Sequence, residues 1–436
     1  MQFLHKKTER QSHLSTASEV ALRIRERNLL LNAVSQCKAP AEDASGLVLV
    51  KDNIGVAGFA VTAGSFALKD VKGVDASCIK RLKEDGFLPL GKTTMSELAG
   101  FVSTTMPPGY SELGGQGVNP IDPALSPGGS SSGSAIAVAA GLCHAAVGTE
   151  TNGSIVIPAL ACGVVGVKPT VGLISREGVV PLAHTFDTPG AIASDVREAA
   201  RLLEALAGPD ENDPATLRYP HGSGNSDFYT DLGGGRSHIR LALAVPQGRV
   251  FDDEECKALS KLIAAARPQG IDIVEATAPE IETHYKEITS TEIQGDFDRY
   301  LAKYGCQSAP KTFRELVEVY ERRRERHPFG IDRLTDALLF DPDLNNAAYR
   351  DALQTGTENA RGVIDCLLKT HRAQGVVSLG FLSWWAIAGA PYVALPLAQR
   401  SNRAMLGITV GCRRFEDRLA LDIAARLEEI IAGIRA

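Results

Sequence analysis

The chain has 436 residues, and its 46 Lys+Arg against 52 Asp+Glu leave a formal charge of −6. A mild acidic excess of this kind has no concentrated basic face to offer a phosphate backbone, so nucleic acid is not an expected partner. With 44% apolar and 22% charged residues the chain is an ordinary globular protein, and its 42 glycines, lacking a three-residue period, exclude collagen-like and low-complexity forms.

The first fifteen residues, MQFLHKKTERQSHLS, turn polar after four positions and lack the apolar centre of a signal peptide, which predicts a cytoplasmic protein. Residues 15–37 predict an amphipathic helix with Val20, Ile24 and Leu31 on its apolar positions. Leu47–Val50 is a fully apolar run of the kind a buried strand shows. From there to about 205 the chain is rich in Gly, Ala, Ser and Val, small residues that let helices lie close on a sheet. Residues 208–227 read as a loop, 239–245 as a strand and 253–267 as a helix. In 312–326, Phe313, Leu316, Val317 and Tyr320 follow a helical period, and the charged tail 321–327, ERRRERH, reads as a solvated helix end. Residues 375–398 carry no charge over 24 positions, long enough to span a bilayer. Pro391, Pro396, Gly380 and Gly389 break that stretch, so it reads instead as a buried strand, a short helix around Trp384–Ala388 and a second strand at Tyr392–Leu395. Leu419, Ile423, Leu427, Ile430 and Ile434 mark a closing amphipathic helix. The eight cysteines form no C-x-x-C pair and the nine histidines no H-E-x-x-H, so neither a disulfide framework nor a metal is expected.

The segment 127–157, PGGSSSGSAIAVAAGLCHAAVGTETNGSIVI, is the most unusual. Gly128 and Gly133 have phosphate-loop spacing, but Ser134 stands where the phosphate-binding lysine belongs. Gly129 to Gly133 satisfies G-x-S-x-G, yet the preceding NPIDPALSP holds three prolines and cannot be the central strand a nucleophile elbow follows. A flexible linker does not run directly into a strongly apolar helix. A fourth reading starts from Lys51, at the end of the apolar run. Desolvation disfavours its charged form, so its pKa falls from about 10.4 towards roughly 7–8, and a neutral amine accepts a proton from serine. Taken alone, Lys51 is a surface lysine at a strand end, Ser130 a helix cap and Ser154 the end of a turn.

Taken together, several blocks in register resemble the amidase signature family. They are Lys51-Asp-Asn-Ile with Thr62-Ala-Gly-Ser65, Gly91 to Glu97, Gly128 to Ala135, Gly148 to Ile155, Gly166 to Thr170, and Ser175-Arg through Pro181 to Gly190. The match runs from 48 to about 205 and returns at Ala388 to Pro396 and at Phe415-Glu-Asp417. The resemblance implies one α/β domain over 1–436, a twisted mixed sheet covered by helices on both faces. Residues 48–205 would form its signature core, 208–370 a variable and partly helical cap, and 371–436 a return to the sheet. It further implies a Ser–cis-Ser–Lys triad of Ser154, Ser130 and Lys51, with Ser154 attacking the amide and Ser130 relaying the proton. The backbone N–H groups of Thr151, Asn152, Gly153 and Ser154 would form the oxyanion hole, and Gly129, Ser131 and Met95 would contact substrate.

Some positions depart from the family pattern. Glu150 and Asn152 replace a common Asp and Gly, and GTETNGSI resembles peptide-amidase-like members. Val156 and Ile157 follow Ser154 where many relatives place an arginine, which argues against a small dicarboxylate monoamide as substrate. The stretch from Val377 to Ala388 is short against typical members, and Phe381, Trp384 and Trp385 there read as core in preference to the lining of a pocket. The R-x-x-L-G-T-Y segment of tRNA-dependent amidotransferase glutaminase subunits is not found near 310–340. The expected function is a cofactor-free amidohydrolase with a small-molecule amide substrate and no membrane partner. The sequence leaves a homodimer, an esterase or acyltransferase with the same triad, and a glutaminase-type subunit open.

Overall fold

The computed structural model describes residues 17–38, 46–221, 227–234 and 238–435. Eleven strands form one mixed sheet. They are β1 (Val34–Cys37), β2 (Gly46–Lys51), β3 (Phe87–Thr93), β6 (Ala145–Glu150), β7 (Val165–Lys168), β8 (Thr188–Ala193), β9 (Ile239–Pro246), β10 (Ile271–Ala278), β11 (Gly375–Leu379), β12 (Tyr392–Gln399) and β13 (Met405–Gly411). The pair β4 (Tyr110–Ser111) and β5 (Gly115–Gln116) makes a small separate hairpin. The order is β1-β3-β2-β6-β8-β7-β12-β13-β11-β9-β10, parallel at β3/β2, β2/β6, β11/β9 and β9/β10 and antiparallel elsewhere.

Apolar runs such as Leu47–Val50 make strands here because both sheet faces are covered. Side chains alternate between the faces. Leu49 joins the core under the helices Ser132–Ala139, Val156–Cys162, Tyr285–Tyr304 and Ala347–His371, while Val48 and Val50 join the core under Ser77–Glu84, Val196–Leu206, Asp253–Ala266 and Asp417–Arg435. The uncharged stretch at 375–398 resolves into β11, the helix Trp384–Ile387 and β12, with Trp384 and Trp385 buried against Tyr392. No helix among the described residues is long and apolar enough to cross a membrane.

Three expectations are corrected. The helix expected over 15–37 spans Ala17–Leu31, and residues 15 and 16 lie outside the described ones. It stops because Asn32 is left-handed at φ 49° and the Asn28 amide caps the next turn, accepting from the N–H of Ala33 and Val34 (2.7 and 2.8 Å). The released residues 34–37 become β1, paired antiparallel with β3. Second, beside the strand expected at 239–245, which is β9, residues 271–278 form a further strand, β10, that ends the sheet on one side. Third, the charged tail 321–327 is not wholly solvated. Arg323 pairs with Glu112 and lies 3.5 Å above the Phe66 ring, and His327 stacks on Tyr320 at 4.6 Å. Of the loop expected at 208–227, residues 222–226 lie outside the described ones.

Candidate active site

The parallel strands β2 and β6 end side by side, with Lys51 closing β2 and Glu150 closing β6. Clefts beyond the carboxyl ends of parallel strands are where open α/β sheets bind ligands. Lys51 is 0% exposed. Its Nζ lies 2.7 Å from Ser130 Oγ, 2.9 Å from Thr149 Oγ1 and 3.1 Å from the Thr149 carbonyl. No carboxylate among the described residues forms an ion pair with it, and burial lowers its pKa from 10.5 to about 7 against the upward pull of Glu150 and Asp187.

Ser130 sits 3% exposed just before the helix Ser132–Ala139, and the Gly129–Ser130 peptide is cis. A Cβ on Gly129 would run into Ser96 Oγ, which explains the glycine there. Ser131 knits the two serine loops together. Its N–H donates to the Ser154 carbonyl (3.0 Å), and its hydroxyl donates to the Thr149 carbonyl (3.0 Å). That brings Ser154, only partly buried, alongside the Lys51–Ser130 pair.

The loop 151–154 is tied at every side. The buried Glu150 carboxylate accepts from the N–H of Ile155 (2.7 Å) and Val156 (3.1 Å) and from the Tyr392 hydroxyl, fixing the start of the helix Val156–Cys162. The Thr151 hydroxyl donates to Asp187 (2.5 Å), whose second oxygen takes the N–H of Leu182 (2.7 Å) and Ala183 (2.9 Å). Burial raises Asp187 to about 6, and those three donors hold it down. The Asn152 amide exchanges hydrogen bonds with Ser383 at 2.8 and 3.1 Å. Gly153 takes φ +86°, and a Cβ there would press on Ile157 and Phe381. The Thr151 and Asn152 side chains are held by these partners, and the N–H groups of Thr151, Asn152, Gly153 and Ser154 have no hydrogen-bond acceptor among the described residues. Free backbone donors in such a loop can hold a developing oxyanion.

The structure therefore groups Lys51, Ser130, Ser154 and the 151–154 backbone. Of the residues expected to contact substrate, Gly129 lies against Ser96, and Ser131 and Met95 are buried. Met95 is 1% exposed within the core, and the Ser131 hydroxyl is spent on Thr149. Sequence reasoning missed Thr149, which binds both Lys51 and the Asn53 amide (3.0 Å), as well as Ser383 and the bond from Asp187 to Thr151. Asn53 carried one signal, its place two residues beyond Lys51. Trp384 and Trp385 are core, as expected, whereas Phe381 is half-buried beside Gly153.

The chain is similar to several known proteins. The profile of the family named Amidase matches residues 14–358. A protein named "probable amidase" from Arabidopsis thaliana is 34% identical over 398 residues, covering 88% of this chain and 76% of its own. The crystal structure of native peptide amidase from Stenotrophomonas maltophilia superimposes with a TM-score of 0.89 at 30% identity, covering 97% of this chain and 94% of that one. A glutamyl-tRNA(Gln) amidotransferase component from Campylobacter hominis is 31% identical over 424 residues, 90% of each chain. With the profile covering most of its length and the fold shared almost end to end with peptide amidase, this chain belongs to the amidase signature family, a group of hydrolases that cleave amide bonds.

Proposed function

We propose that the protein is a free-standing amidohydrolase that cleaves a non-peptidic or C-terminal carboxamide through a Ser154 acyl-enzyme, without a cofactor. The observation that carries this reading is the buried Lys51 amine 2.7 Å from Ser130 Oγ. In its neutral form Lys51 takes the Ser130 proton while Ser130 takes that of Ser154, and Ser154 Oγ adds to the amide carbonyl. The resulting oxyanion is held by the N–H groups of the 151–154 loop. The proton returns from the Lys51 ammonium through Ser130 to the leaving nitrogen, the C–N bond breaks, and ammonia or an amine departs. Water, deprotonated by the same relay, then releases the acid and restores Ser154.

The side chains flanking Gly153, Ile157 and Phe381, are apolar, and Ile157 is 38% exposed beside the loop. They favour an uncharged group next to the scissile amide, in keeping with the likeness to peptide amidase. A screen of primary amides, peptide amides, anilides and esters against the purified single chain tests the proposal. Wild type is expected to release ammonia from amides with no other chain present and to be acylated by a fluorophosphonate probe, and Ser154→Ala to do neither. Full-rate labelling of Ser154→Ala would refute the assignment of the nucleophile. Turnover only after adding a partner chain would favour the amidotransferase reading suggested by the Campylobacter relative.

A further inference from the structure

Behind Asp187 lies a cleft of about 810 Å³ that the chemistry above does not use. Its carboxylates are committed. Asp213 is bound by Arg176 (2.8 Å to Nε), Asp296 by His184 and Arg299, Glu177 by Lys303 and Tyr304, and Asp187 by the Thr151 loop. Three of its arginines are not. Among the described residues Arg218, Arg361 and Arg414 have no carboxylate within ion-pair distance.

Arg361 projects from the helix Ala347–His371 and donates its Nε to the Ala388 carbonyl at 3.3 Å. Arg414 lies against the same turn. Its Nε is buried without a hydrogen-bond partner, and a Cβ on Gly389 would lie 3.5 Å from it. Its guanidinium carbon stands 4.8 Å from the centre of the Phe415 ring. Burial, together with the charges of Arg361 and Arg218, brings Arg414 down to about 10. Asp417 offsets this only in part, and neither it nor Glu358 forms an ion pair with these arginines. Asp417 is spent on Thr170 and Tyr219, and Glu358 stays beyond pairing distance of Arg361. The three guanidinium groups line one cleft, and forked donors of this kind match the two oxygens of a carboxylate or phosphate.

We propose that Arg218, Arg361 and Arg414 form a binding site for an oxyanion group, carboxylate or phosphate, carried by a small molecule that lodges in this cleft. Inorganic phosphate titrated into the full chain at constant ionic strength, followed by calorimetry and by thermal unfolding, tests it. Wild type is expected to bind one equivalent saturably and to gain stability with occupancy. Arg361→Gln and Arg414→Gln should each weaken binding by roughly tenfold or more, as expected when a charge-assisted hydrogen bond is lost. Arg414→Lys, which keeps the charge without the fork, should fall between, and Arg314→Gln, an exposed residue outside the cleft, should match wild type. An affinity unchanged in the Arg361 and Arg414 variants, or a wild-type response no larger than that to sodium chloride, overturns the proposal. Two sources of the anion are separable once it binds. If the substrate carries it, Arg361→Gln raises KM only for amides bearing a carboxylate or phosphate. If a free effector carries it, KM in the absence of phosphate does not change.

Discussion

Replacing Lys51 with methionine, close in size and uncharged, separates the chemistry of the amine from its packing. The native amine has a pKa of about 7 against an ordinary 10.5, a difference of 10.5 − 7 = 3.5 units. At about 1.4 kcal/mol per unit, that corresponds to roughly 5 kcal/mol of disfavoured charge in the fold. The kinetic consequence is an acid limb. Two units below the pKa, at pH 5, about 1% of the amine is neutral, so wild-type kcat should fall about a hundredfold from its plateau, a decade per pH unit. Lys51→Met should lose roughly 10²–10⁴ in kcat, and its residual rate should be flat across that range. The stability consequence has a definite sign. Because the folded pKa is depressed, the native state binds fewer protons than the unfolded chain between pH 7 and 10.5. Wild type should therefore gain stability relative to Lys51→Met as pH rises through that window, with a slope approaching about 1.4 kcal/mol per pH unit, and show no further change below it. Urea unfolding of both proteins at a series of pH values measures the difference, in which the other buried lysines, Lys92 and Lys168, cancel. A difference that stays flat from pH 7 to 10.5 means that the native amine remains protonated, and the role of Lys51 as base falls with it.

Other substitutions probe the loop and its supports. Gly153→Ala forces a side chain onto a φ of +86° and against Ile157 and Phe381, so kcat should drop roughly 10²–10³-fold, as when one oxyanion donor is lost, while KM changes little. Asp187→Asn weakens the hold on Thr151 and removes a charge that raises the Lys51 pKa. Its kcat should fall roughly ten- to a hundredfold, as for loss of a hydrogen bond to a charged group. Its acid limb should move to lower pH, and a limb that stayed in place would remove Asp187 from the electrostatics of the site. His184 is pulled down by burial but raised more by its bond to Asp296 and by Glu292, and it ends above 6.5. Its contribution to stability is complete below that value and is lost as pH rises through the raised pKa. Chemical unfolding of wild type against His184→Gln should show that loss, and parallel curves would contradict it.

Strands buried on both faces were legible because nothing interrupts their apolar runs; β2, β9 and the pieces of 375–398 fall where the pattern placed them. The edge strand β1 was not, since VSQC has neither an apolar run nor a clean alternation, and only pairing with β3 makes it a strand. The candidate catalytic residues were legible only as a set, because Lys51, Ser130 and Ser154 each have an ordinary reading alone. The anchors Thr149, Asn53 and Ser383 were hidden for a different reason. Their roles depend on the register of β2 against β6 and on where the turn after β11 arrives, neither of which leaves a local mark. Arg361 and Arg414 lie far apart in the chain and meet only across the turn at Ala388–Gly389.

The tie between Glu150 and Tyr392 bears on the order in which the molecule is assembled. Glu150 shapes the loop that carries Ser154, yet the tyrosine it grips begins β12, a strand inserted in mid-sheet between β7 and β13. A nascent polypeptide would already carry all three triad candidates by the time Ser154 leaves the ribosome. The vise that shapes their surroundings closes only after more than two hundred further residues have been made. Fragments ending before β12 should therefore be inert even where they fold.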